Sequence, residues 1–122
     1  MMNYEFFRNF VAMNETVIKK REFTTSFHEE DGVYVMHLIG WLDTSATDKA
    51  KKELEPLRNH LDGRIVIDLT ELRYISSSGL RLLLALLKDS SAKGGSMSVT
   101  GLSDYLHKVF VETGFVRLFN II

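Results

Sequence analysis

Apolar and polar positions change period several times along this chain, and each change marks an element. Phe23 to Phe27 alternates weakly, and Glu29-Glu30-Asp31-Gly32 follows as a polar turn. Val33 to Gly40 is then rich in β-branched and aromatic residues. Two strands joined by an acidic turn that ends in glycine predict a hairpin. Asp43-Thr44-Ser45 next supplies N-cap oxygens. Ala46, Ala50, Leu54, Leu57 and Leu61 follow at helical spacing and share one face. Pro56 interrupts that helix, where it should kink the axis or remove a hydrogen bond on the solvent side. Asp62-Gly63 ends it.

Arg64 to Leu69 is a nearly continuous apolar run, the pattern of a central strand covered on both faces. A leucine-rich helix is expected from Leu80 to Lys88, with Leu80, Leu83, Leu84 and Leu87 on one face. Leu82 and Leu86 fall on a flank beyond it, and Arg81 and Lys88 lie opposite. Such a helix is either packed on more than one side or presents a leucine patch to another protein. Lys93-Gly94-Gly95 is a stop signal, and Met97 to Thr100 is a short strand. Ser103-Asp104 caps a third helix carrying Leu106, Val109 and Phe110 on one side, ended by Gly114. Leu118 to Ile122 reads as a last short strand. A hairpin followed by alternating helices and strands predicts an α/β fold, with a mixed β-sheet and helices packed as a layer.

The first twenty residues stand apart from this pattern. Phe6, Phe7, Phe10, Val11, Val17 and Ile18 fit one face of a helix, with Arg8, Lys19 and Lys20 elsewhere. That helix would dock on the domain, form a homodimer or bind a partner. Alternatively Met13 is the true start and leaves a short disordered lead. The expected organisation is an extension over residues 1–20 and one folded domain over 21–122.

Bulk properties narrow the function. A chain of 122 residues is one domain's worth and can bury a core. The net charge of −1 gives no electrostatic case for nucleic acid or an anionic membrane. Cysteine is absent, which excludes disulfides, thiolate metal sites and cysteine nucleophiles. No apolar run is long enough to span a bilayer, and no basic segment precedes an apolar one at the N-terminus. A cytoplasmic domain without membrane insertion and without a cofactor is expected.

Ile75-Ser76-Ser77-Ser78-Gly79-Leu80 carries the candidate chemistry. It lies where strand gives way to helix, and a helix start leaves unpaired N–H groups and a partial positive charge that stabilise anions. The serines either cap the helix or present one exposed hydroxyl where a phosphate can be held. Arg81, one turn on, is within reach of such a phosphate. Serine-hydrolase chemistry fits poorly: Ile75 stands where the nucleophile elbow needs glycine, and His107 is the nearest base only by topology. His28, His37, His60 and His107 show no paired metal-ligand spacing.

Three stretches together resemble the STAS domain family, in particular bacterial anti-sigma factor antagonists, from about Phe23 to the C-terminus. Gly40-Trp41-Leu42-Asp43 is similar to the family's Gly-Glu-Leu-Asp segment. Ile67-Asp68-Leu69 through Ile75-Ser76-Ser77-Ser78-Gly79-Leu80 resembles its central strand and Asp-Ser-Ser/Thr-Gly phosphorylation loop. Thr113-Gly114-Phe115 with Leu118-Phe119 resembles its ending. The resemblance implies a protein-binding module and not an enzyme. It implies that Ser77 is phosphorylated by a partner that is both anti-sigma factor and serine kinase, with a serine phosphatase as a further partner. Ser78 is then the neighbouring hydroxyl, Gly79 allows a close backbone approach, and Asp43 lies near the loop. Ser76, Arg81 and Leu82 complete the expected partner-binding surface. The chain departs from the family at Ser76, which replaces the aspartate before the acceptor and removes its charge. A constitutive STAS scaffold or transporter-associated subunit, bound through Leu82, Leu86 and the aromatic extension, is the competing expectation.

Overall fold

The computed structural model describes residues 21–122, and the expectations for residues 1–20 lie outside them. The chain runs β1 (Phe23–Glu30), β2 (Val33–Leu42), α1 (Thr47–Glu53), α2 (Glu55–Arg58), β3 (Arg64–Asp68), β4 (Leu72–Ile75) and α3 (Ser77–Ala92). It continues through β5 (Ser96–Thr100), α4 (Asp104–Glu112) and β6 (Asn120–Ile121). Short 3-10 turns at Thr44–Ala46 and Phe115–Arg117 lead into α1 and β6.

The hairpin turns on two residues, Asp31 and Gly32, with φ of 52° and 79°. Two left-handed residues in succession match the twist of the flanking strands. The sheet order is β1-β2-β3-β5-β6, with β4 also paired to β2. Only β1 and β2 are antiparallel; the other pairs are parallel. From β2 onward the order steps β2, β3, β5, β6 in one direction, so right-handed crossovers place their helices on the same face. Met36, Leu38, Ile65, Ile67, Met97 and Val99 line that face and are buried. The sheet is thus mixed, with the helices as one layer, as expected.

Coverage of the central strand differs from expectation. Ile65 and Ile67 are buried, whereas Val66 and Asp68, pointing to the other face, are half-buried. Among the described residues helices cover one side only, and the apolar run reflects Val66 sitting on a partly sheltered second face. Four residues were also too few for a legible alternation: β4 was not anticipated between β3 and α3.

Pro56 does divide its helix. Leu54 donates to Ala50 O at 2.9 Å, and Leu57 then starts again on Leu54 O at 3.0 Å, because proline has no N–H to continue the series. Ala50, Leu54, Leu57 and Leu61 are all buried.

Helix α3 begins three residues earlier than expected and extends to Ala92. Its buried line is Gly79, Leu80, Leu82, Leu83, Leu86 and Ser90, while Leu84 and Leu87 are half-buried. The core-facing stripe is therefore rotated from the one drawn through leucines alone. Small residues explain the rotation. A Cβ on Gly79 would sit 2.8 Å from Leu42 Cγ, and Ser90 Oγ donates to Leu61 O at 2.7 Å. The helix approaches most closely along these two positions, which draws Leu82 and Leu86 into the core.

Gly40 sets the geometry of the sheet's upper end. Its φ is +96°, and the pairing of β2 with β4 shifts register between Gly40 and Trp41. A Cβ there would overlap the Glu22 carbonyl. β2 passes from β3 to β4 before Gly40, and the bulge then shifts its register on β4 so that Leu42 lies opposite Ile75. Gly40→Ala should therefore lower unfolding free energy by about 2–3 kcal/mol in urea titration. A change below about 0.5 kcal/mol would show that the bulge tolerates a side chain.

Candidate functional site

Two chain segments leave the sheet side by side. Leu42 pairs with Ile75, and the Ser76 N–H donates to Leu42 O at 2.8 Å. The next residue on each segment is an N-cap. Asp43 Oδ1 accepts from Ala46 N at 2.9 Å and from Ser45 Oγ at 2.8 Å, capping the 3-10 turn before α1. Ser76 Oγ accepts from Gly79 N at 3.1 Å and caps α3. Two helical starts thus share one rim of the sheet, with their free N–H groups oriented from the same edge.

Hydroxyl groups join the two starts. Ser76 Oγ lies 2.9 Å from Ser78 Oγ, which lies 3.0 Å from Thr47 Oγ1. Thr47 Oγ1 donates to Asp43 O at 3.3 Å. A hydroxyl has one proton to donate. With Thr47's committed to Asp43, Ser78 donates to Thr47 and Ser76 donates to Ser78. The donation runs one way, from Gly79 N–H through Ser76, Ser78 and Thr47 to the Asp43 carbonyl.

Ser77 is outside this chain. It is exposed at the first position of α3, and its hydroxyl has no hydrogen-bond partner among the described residues. Ser76 is only 7% exposed and Ser78 is half-buried. Of three consecutive serines, one presents a free nucleophilic oxygen to solvent beside a helix N-terminus.

The remaining expected residues divide. Asp43 is half-buried next to the serine loop, its carboxylate engaged in capping. Arg81 is exposed one turn along α3. Leu82 is 7% exposed and belongs to the core, so the leucine patch expected from Leu82 and Leu86 is not at the surface. Gly79 allows a close approach, but to Leu42 and Ile75 inside the domain and not to a partner. His107 is exposed on α4. Thr47 was missed, its one clue being a further hydroxyl a turn after the Asp43 cap.

The family model described as the STAS domain matches residues 24–122. The chain belongs to the STAS domain family. BtrV of Bordetella bronchiseptica, named as a candidate anti-sigma factor antagonist, is 30% identical over 91 residues, 75% of this chain and 78% of that protein. The anti-sigma F factor antagonist of Paenibacillus polymyxa is 29% identical over 91 residues, 74% of this chain and 78% of that protein. The fold is shared with the phosphorylated form of the Bacillus cell fate determinant SpoIIAA, with a TM-score of 0.60 at 20% identity. That likeness covers 83% of this chain and 91% of the other.

In this STAS domain the serine at position 76 has a structural explanation. The position is the N-cap of α3, and serine and aspartate are about equally good there. The cap is kept while its negative charge is lost.

A second polar group lies on the half-buried face of the sheet. His37 Nδ1 is 3.0 Å from Asp68 Oδ2, and the His28 ring stacks on His37 at 5.2 Å. Partial burial pushes the Asp68 carboxyl up, but hydrogen bonds from the Thr70 hydroxyl and amide and the charge of nearby His37 outweigh it. The carboxyl is held below its ordinary value of 3.8. Among the described residues, no group of three or more His, Cys, Asp or Glu is arranged to hold a metal.

Two outcomes follow from these contacts. Ser76→Ala should cost about 1 kcal/mol by removing the α3 cap, whereas Ser77→Ala should stay within about 0.5 kcal/mol of the parent in urea unfolding. Equal losses would place the cap elsewhere. The depressed Asp68 carboxyl stabilises the fold above its unfolded pKa, and this contribution is lost as pH falls through the native value. Stability of the parent should therefore fall more steeply than that of Asp68→Asn between about pH 4 and pH 3. Parallel acid limbs would remove Asp68 from the linkage.

Proposed function

We propose that this STAS domain is an anti-sigma factor antagonist, and that phosphorylation of Ser77 switches off its binding to an anti-sigma factor that is also a serine kinase. The names of its relatives support the first part. One observation carries the second: Ser77 alone of the three serines is exposed with an uncommitted hydroxyl, at the start of a long helix. The domain is then a substrate and a binding module, and it catalyses nothing itself. A serine phosphatase would reset it. Its place would be the cytoplasm, in keeping with the absence of any described helix long and apolar enough to cross a membrane.

The switch follows from charge. With Ser77 unmodified, the rim formed by Asp43, Ser77, Ser78 and Arg81 is a polar surface without net repulsion, and the partner docks on it. Phosphorylation adds about −1.5 to −2 charges and strong acceptor oxygens. In the free domain the N–H groups of α3 favour that charge by about 0.3–1 kcal/mol. Under a docked partner the same dianion loses water next to the Asp43 carboxylate, and burying an unpaired charge costs several kcal/mol. Each 1.4 kcal/mol is about tenfold in affinity, so two or three such units release the complex. No refolding is needed. Of the groups the scaffold alternative would use, Leu82 and Leu86 are buried, and the aromatic extension lies outside the described residues.

Incubation with the anti-sigma kinase of the same organism and ATP should place one phosphate on Ser77, as mapped by mass spectrometry. Ser77→Ala should retain binding in calorimetry, and Ser77→Asp should weaken it at least about tenfold. Phosphate on Ser76 or Ser78, or equal affinity of both variants, would remove the switch.

A further inference from the structure

The sheet face away from the helices is the largest feature that the proposed switch does not use. Val35, His37, Ile39 and Trp41 of β2, with Val66 of β3 and Tyr74 of β4, lie on it half-buried. At its upper end the Trp41 and Tyr74 rings stack at 5.3 Å, and Tyr105, 42% exposed, continues the row 6.4 Å from Tyr74. Lower down, a hollow of about 340 Å³ opens between Ser26, His37, Ile39, Asp68, Thr70 and Glu71, where the chain leaves β3. Aromatic and β-branched side chains on a face with no described helix over it form a docking surface that lacks its occupant.

We propose that the occupant is the chain's own extension, with Phe6, Phe7 and Phe10 seated on this face. Three observations point to it. The extension lies outside the matched family domain, which begins at residue 24, so the α/β core is complete without it. It enters the described structure at this face: Arg21 lies over the Trp41 ring at 5.2 Å, and Trp41 N donates to Glu22 O at 3.1 Å. Its apolar residues also recur at helical spacing, Phe7, Phe10 and Val11 and then Val17 and Ile18, which gives one stripe to bury. The lengths agree. A helix over residues 5–18 would be about 21 Å long, and five hydrogen-bonded strands are about 19 Å across. Residues 19–22 suffice to turn the chain back over Trp41. The hollow beside His37 is large enough for an aromatic ring and its lower wall is polar, so a phenylalanine would enter from the Ile39 side.

Seating in cis closes the apolar face without touching the Asp43–Ser77 rim, which faces away from the sheet at its upper edge. The extension and the switch are then separable, and either can fail without the other.

The full chain provides its own probe, because Trp41 is its single tryptophan and it has no cysteine. Acrylamide quenching of Trp41 in the intact chain should be at least about twofold weaker than in the Phe6→Ser/Phe7→Ser/Phe10→Ser variant, across a hundredfold range of dilution. Circular dichroism should show both folded. A nitroxide on Met13→Cys should broaden the amide signals of Val35, Ile39 and Val66 and spare those of α3. Equal quenching, or broadening confined to α3 or absent, overturns the proposal. Protection that disappears on dilution, or broadening that passes from a labelled to an unlabelled copy, overturns seating in cis and assigns the face to a second copy of the chain.

Discussion

The functional rim depends on one backbone hydrogen bond, from Ser76 N–H to Leu42 O at 2.8 Å. It is the last bond between β2 and β4, and it fixes Asp43 and Ser76 as neighbours at the points where both segments turn into helices. Everything upstream serves this pairing. The Gly40 bulge sets the register of β2 on β4, and Gly79 lets α3 settle against Leu42 and Ile75. A side chain at either glycine would separate the two helical starts. The hydroxyl chain from Ser76 to Thr47 spans a gap that only this pairing makes small enough.

Hydrogen-bond arithmetic then tells the three serines apart. Three serines in a row look equivalent in sequence, but a helix start distinguishes them by position. The N-cap oxygen turns inward to meet the N–H of the third helical residue, and the second helical residue lies against the neighbouring segment. The first helical residue is exposed, with no hydrogen-bond partner among the described residues. Ser77 is therefore free because Ser76 and Ser78 are occupied. Its position beside unpaired helix N–H groups also makes a phosphate there tolerable to the isolated domain.

Much of this was legible in the sequence, and the misses come mostly from tertiary contacts. The hairpin, the three glycine stops, the Ser103 cap and the break at Pro56 rest on residues whose effect is confined to their own backbone, so neighbours cannot override them. The serine loop could be placed because strand and helix patterns met there. The rotation of α3 could not, since its cause is how closely Gly79 and Ser90 let the helix approach strand and loop, and leucine periodicity carries no record of that. The same blindness left open whether Leu82 and Leu86 were packed or presented to a partner. Val66 made β3 look covered on both faces because half-burial against a sheet selects the same residues as full burial. Thr47 was invisible as part of the site because its partner, Ser78, is 31 residues away and meets it only through the sheet.

The serine at position 76 bears on how the switch would work. An aspartate at an N-cap already places a full negative charge on the helix start, so a phosphate one residue later meets like charge and shares the same N–H groups. With a neutral cap those N–H groups face the phosphate alone. In the proposed switch a modified free domain would then be easier to hold, and a docked complex would lose affinity mainly through Asp43 and desolvation. Charge that the cap gives up is charge by which a partner can no longer recognise the unmodified loop. In the proposed switch, recognition would rest on what remains exposed on that rim, the Ser77 hydroxyl, the Arg81 guanidinium and the edge of the Asp43 turn. A partner suited to this loop would present a carboxylate to Arg81 and no cation to the neutral cap, the complementarity by which such a pair would be told from others.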